Sequence, residues 1–133
     1  MGPPDHGARA RQIALEAGFD LVGIAGADPP PELAVFGEWV ARGHAGDMAY
    51  LSEQVTKRSD LRTAFPWARS MICVGLQYDT PHPYSTETPS ERGWISRYAW
   101  GDDYHDVMKA MLDRVVERLR AEAGPFEART YDC

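Results

Sequence analysis

The side chains best suited to chemistry fall in two stretches of the sequence. One is Gly93-Trp94-Ile95-Ser96-Arg97-Tyr98-Ala99-Trp100-Gly101-Asp102-Asp103-Tyr104-His105, and the other is Arg129-Thr130-Tyr131-Asp132-Cys133. An amphipathic helix predicted between them would hold two loops a set distance apart, which is how binding and catalytic groups are commonly presented. Asp132 reads in two ways. At the end of a strand it is a solvated acid. In a closed apolar pocket its pKa rises, because burial disfavours the charged form, and it can then give a proton to a leaving oxygen near neutral pH. Tyr131 beside it supplies packing. Asp102 and Asp103 read as acids at a helix N-terminus, where they cap free N–H groups and complement the dipole. Tyr104 and His105 fall in the first helical turn, on the surface or holding a polar ligand group. An exposed Arg97, flanked by Ser96 and Tyr98, would clamp an anion or stack on a flat ring, or else sit in an amphipathic surface strand. Arg58, within Lys57-Arg58-Ser59-Asp60, has the same two readings.

The bulk properties narrow the class. The chain has 133 residues, 44% hydrophobic and 26% charged, with a net charge of −6. That is enough for one domain with a modest core. The negative charge argues against a basic nucleic-acid module, although Arg58, Arg62, Arg69 and Arg97 could form a local phosphate-touching patch. No apolar run suggests a membrane span, and Met1 to Arg11 has no signal-peptide core, so the expected compartment is the cytoplasm. Two cysteines, Cys73 and Cys133, do not make a disulfide framework. Cys73 lies in an apolar run and is expected to be a small buried hydrophobe. His6, His44, His82 and His105 are too scattered for a structural zinc site. No phosphate-binding loop, dinucleotide fingerprint or nucleophile elbow is present.

Periodicity supplies the framework. Ala10, Ile13, Ala14 and Ala17 predict a helix over 6–17 stopped by Gly18. Asp20 to Ala25 predicts a strand. Asp28 and three prolines open a helix striped by Leu33, Phe36 and Val40 and ended by Gly43. A short helix is expected over 47–54, with Met48 and Leu51 inward, then a loop or broken helix over 57–68 punctuated by Pro66. Met71 to Gln77 reads as a central strand, and 79–92, with three prolines, as a long connection of the kind that is functional or mobile. Met108, Met111, Leu112, Val115 and Leu119 share one face of a helix over 103–123, closed by Gly124-Pro125. Glu127 to Tyr131 alternates as a strand. The fold class is α+β, or mixed α/β, with a small sheet flanked by helices.

Several segments, in this order, resemble one family. They are Gly18-Phe19-Asp20-Leu21-Val22-Gly23-Ile24-Ala25, Gly43-His44-Ala45-Gly46-Asp47-Met48-Ala49-Tyr50-Leu51, Arg58, Pro66-Trp67-Ala68-Arg69-Ser70-Met71-Ile72, Ile95-Ser96-Arg97-Tyr98-Ala99 with Gly101-Asp102-Asp103-Tyr104-His105, and Tyr131-Asp132. From about residue 10 onward this resembles the N-terminal, cobalamin-binding region of the epoxyqueuosine reductases. The resemblance implies a nitroreductase-like cobalamin-binding domain, here incomplete. It implies a longer enzyme, of which residues 1–133 are the single N-terminal domain, inactive alone. The family's two 4Fe–4S clusters and tRNA-holding helical repeats would lie outside this chain. Asp132 matches the family acid that protonates the epoxide oxygen, and both Asp132 and Arg58 match positions lining the cobalamin, as do Ser96, Arg97 and Tyr98. Tyr104 and His105 match positions near the substrate. Implied partners are tRNA carrying epoxyqueuosine and an electron donor protein, with no membrane and a monomeric state. The family usually has Thr or Ser after the acid, and this chain has Cys133. Its cluster-binding cysteine motif and the Asp-x-His-x-x-Gly motif of another cobalamin class are both absent. Two other readings stay open at this level. One is a different cobalamin or flavin redox enzyme of the same fold, such as a reductive-dehalogenase-like protein. The other is a binding domain without chemistry.

Overall fold

Local signals set the first helix and its strand. In the computed structural model, which describes residues 5–55, 58 and 60–131, helix α1 spans His6–Glu16. The Asp5 side chain caps it by accepting from the Ala8 N–H at 3.0 Å. Gly18 ends the turn at φ +108°, a conformation that needs no Cβ. A methyl group there would also come within 3.3 Å of Met111 Cε. Strand β1, Leu21–Gly26, pairs antiparallel with strand β2, Ser70–Gly75. The ladder is bracketed by Asp20 N–H to Gly75 O at 3.0 Å and Ala27 N–H to Arg69 O at 3.1 Å. The Asp20 carboxylate accepts from the Gln77 N–H at 2.7 Å, tying the far end of β2.

Between the strands come helix α2, Leu33–Ala41, helix α3, Ala49–Glu53, and helix α4, Leu61–Ala64. After β2 the chain runs through 3-10 turns at Ser85–Glu87 and Arg97–Ala99 into helix α5, Tyr104–Ala123. Asp103 caps α5 and Gly124, at φ +84°, closes it. The class is mixed α+β, as the sequence pattern predicts.

The chain divides into two compact units, residues 1–23 with 72–133, and residues 24–71. In the first, α1 packs on α5. Ile13, Ala14, Phe19, Met111 and Val115 form its buried core, with Met108, Leu112 and Leu119 against it. That is the apolar stripe read from sequence, and removing it from water is the main stabilising term. Outside this core, Glu16 accepts from Arg118 at 2.6 Å and Glu122 pairs with Arg9 at 2.5 Å. Hydrogen bonds from Arg118 and Arg9 respectively, in each case the largest cause, hold these carboxyls below their usual range. Both pairs are about two-fifths exposed, so solvent screens them.

Four local expectations are corrected. Glu127 to Tyr131 is irregular rather than a strand, because alternation makes a strand only where a neighbour completes its hydrogen bonds. β2 is not central, since the sheet has two strands among the described residues. Cys73 is exposed rather than buried. In a two-stranded sheet an apolar run is covered only in part: Ser70 and Cys73 of β2 are exposed and its other four residues are half-buried. Met48 is 43% exposed rather than inward, because α3 is barely more than one turn and starts after it.

Candidate functional site

The segment from Tyr78 to Tyr104 carries six of the chain's fourteen aromatic residues. It closes on itself around one guanidinium. Arg97 Nη1 donates to the Asp79 carboxylate and to Thr80 O at 2.8 Å. Its Nη2 donates to His82 O at 2.6 Å and Pro83 O at 3.1 Å. The guanidinium carbon lies 4.4 Å from the centre of the Tyr84 ring and 5.9 Å from that of Trp100, cation–π distances. Only 9% of the Arg97 side chain is exposed. The expected exposed arginine is therefore an enclosed one. Sequence spacing hides this, because its partners lie 14 to 18 residues upstream.

Around this closure the aromatic rings form two chains. Tyr78 meets Tyr98 edge-on at 6.4 Å, and Tyr98 meets Tyr104 edge-on at 6.0 Å. Tyr104 stacks on the His105 imidazole at 4.0 Å. Separately, Trp94 lies 5.6 Å from Trp100, whose Nε1–H donates to Ile95 O at 2.9 Å, and His82 meets Trp100 at 5.7 Å. Tyr98 and Ile95 remain 52% and 69% exposed. Ser96 precedes the 3-10 turn without a side-chain cap bond, and it is exposed.

Asp103 does two tasks at the start of α5. Its Oδ1 accepts the His105 backbone N–H at 3.0 Å and faces His105 Nδ1 at 2.7 Å. The side-chain hydrogen bond, then the backbone one, holds the Asp103 carboxyl below its usual range. An ionised carboxylate only accepts, so the proton of this hydrogen bond sits on Nδ1. The structure thus gathers Ser96, Arg97, Tyr98, Tyr104 and His105 into one part of the first unit. Tyr78, Asp79, Tyr84, Trp94 and Trp100 join them. The density of aromatics between 78 and 104 was the signal available for those.

Arg58 belongs to the second unit. There it borders an apolar groove of about 450 Å³ whose walls include Leu33, Phe36, Leu61 and Met71. Its guanidinium carbon sits 5.8 Å from the centre of the Phe36 ring. Asp28, also on the groove, pairs with Arg62 at 3.1 Å. Asp132 and Cys133 lie outside the described residues.

Residues 58–132, more than half of the chain, match the family described as "Epoxyqueuosine reductase QueG, DUF1730". The chain belongs to this family. It is 35% identical over 132 residues to an epoxyqueuosine reductase of Xanthomonas campestris, covering 97% of this chain and 37% of that protein. To one of Pseudomonas aeruginosa it is 33% identical over 137 residues, covering 98% of this chain and 38% of the relative. The chain therefore spans well under half the length of these relatives. The solved structure of epoxyqueuosine reductase from Streptococcus thermophilus superposes with a TM-score of 0.64 at 24% identity, covering 86% of this chain and 31% of that one. This shows a shared fold. No helix among the described residues is long and apolar enough to cross a membrane.

Proposed function

We propose that this chain is the N-terminal part of a cobalamin-dependent reductase that converts epoxyqueuosine to queuosine in tRNA, with Asp132 as proton donor to the epoxide oxygen. Membership of the epoxyqueuosine reductase family, through the match over residues 58–132, carries the reading. The reaction would take up two electrons and two protons, and the epoxide oxygen would leave as water. An alkoxide is a poor leaving group, so a carboxylic acid placed at that oxygen lowers the barrier, which is general acid catalysis.

The aromatic segment suits a large flat cofactor with apolar faces and an amide-bearing rim. Exposed Ile95 and Tyr98 offer apolar contact, and the free Ser96 hydroxyl offers a hydrogen bond. Arg58 is the corresponding candidate in the second unit. Bound cobalamin would supply a low-valent cobalt able to deliver electrons. Tyr104 and His105 would orient the modified base, with the Asp103 hydrogen bond fixing the imidazole. The electrons would come from two 4Fe–4S clusters held by other residues and from an electron donor protein. Cys73 and Cys133 are too few to ligate a four-cysteine cluster. The protein would act as a monomer in the cytoplasm.

The test is conversion of epoxyqueuosine in tRNA by the full-length protein with Asp132→Asn. Loss of about 10² to 10⁴ in rate is expected, the usual range for removal of a general acid. Turnover at the parent rate would remove Asp132 from the mechanism.

A further inference from the structure

Arg97 is the most enclosed charge among the described ion pairs, and its chemistry is already spent. A guanidinium has five N–H donors. The four on Nη1 and Nη2 are matched by four acceptors: the Asp79 carboxylate and the carbonyls of Thr80, His82 and Pro83. Tyr84 and Trp100 lie against the same group. No paired donors remain to grip a carboxylate, a phosphate or the amides of a cofactor. The same contacts span the base of a loop of more than a dozen residues that lacks strand pairing. Closing such a loop costs chain entropy, which directional bonds must offset.

We infer that Arg97 is a positioning residue, which closes the 79–97 loop and so holds Tyr98 and its neighbours in place without itself touching the cofactor. The inference rests on the proposed function for the identity of the ligand. Tyr98 follows Arg97 directly and lies between Tyr78, just after β2, and Tyr104, at the start of α5. If the loop opens, Tyr98 loses the backbone that sets it between those rings.

The experiment compares Arg97→Lys, Asp79→Ala and the double variant in the full-length protein. Hydrogen exchange over 79–100 and titration with cob(II)alamin, followed in the visible spectrum, are the two readouts. Lysine keeps the charge but lacks the planar fork, so it should not rescue the loop. Each single variant should speed exchange of the 79–100 amides about tenfold or more, the change expected for loss of a charge-assisted bond. Each should also weaken cob(II)alamin binding, and the double variant should be no worse than the worse single one, since both break one network. A direct cofactor ligand predicts otherwise. Arg97→Lys would keep most of the binding, or lose it with loop exchange unchanged, and Asp79→Ala would be harmless. Either result overturns the inference. If the parent protein bound no cobalamin, the proposed function would fall. The exchange data would still decide whether Arg97 closes the loop.

Discussion

The α1–α5 helix pair and the 78–104 segment are both parts of the first unit, yet they are held by different physics. The helix pair is joined by apolar burial: Ile13 and Ala14 are wholly buried, and Met111 and Val115 nearly so. Burial is non-directional, and cores of this kind tolerate substitutions that conserve volume. The 78–104 segment buries little. It depends on four donors of one arginine and on ring pairs at set angles. Such bonds are lost if one partner moves, and the cost falls on the polar group left behind. The lesson is that stability and placement are divided between the two regions. One keeps the unit folded, and the other aims its exposed aromatic groups.

Ile13→Ala should have the largest effect, because among the described residues Ile13 is the large side chain that is fully buried. A loss of about 2–5 kcal/mol in urea unfolding is expected for a cavity of that kind. Amides in 79–100 that exchange by local opening should keep their rates, since they do not wait for global unfolding. Equal acceleration of both regions would mean that the helix core and the 78–104 segment open together.

Asp103→Ala comes next. It removes the α5 cap and frees His105 together. Exchange of the first-turn amides should rise several-fold at neutral pH, and the His105 ring should lose its preference for a proton on Nδ1, visible in its ¹⁵N shifts. The folded-state pKa of Asp103 is depressed, so its stabilising contribution is complete above the unfolded value of about 4. It is lost as pH falls through the lower folded value. The difference between variant and parent should therefore shrink below about pH 4 and vanish in stronger acid. A difference that grew in acid would contradict the assignment.

Thr80→Val should have the smallest effect. Thr80 Oγ1 is buried without a hydrogen-bond partner, while the Thr80 carbonyl serves Arg97. Valine removes the unmet hydroxyl and keeps the backbone. Thermal unfolding should show no change or a gain of up to roughly 1 kcal/mol. A clear loss would mean the hydroxyl has an acceptor or donor in solution.

What the sequence made legible follows the reach of each interaction. α5 could be read almost to the residue, because its signals are local: the Asp103 cap, the stripe from Met108 to Leu119, and Gly124. The Gly18 stop of α1 is equally local. The grouping of Ser96, Tyr98, Tyr104 and His105 was visible in their proximity along the chain. The role of Arg97 was not. Its acceptors are mostly carbonyl oxygens, which every residue has, so no residue type announces them. The exposure of Cys73 and the irregular backbone over 127–131 depend on what packs alongside, which alternation of side chains does not record.

The tryptophans are unevenly placed. Trp94 and Trp100 lie together in the 78–104 segment, Trp39 and Trp67 belong to the second unit, and the α1–α5 core contains none. The protein's ultraviolet emission therefore comes from regions outside its most buried part. Melting followed by intrinsic fluorescence would register the 78–104 segment through Trp94 and Trp100 and the second unit through Trp39 and Trp67, but not the helix pair. Circular dichroism at helical wavelengths would follow the helices, and with Trp39 and Trp67 replaced by Phe a gap between the two curves would report the loop apart from the helices.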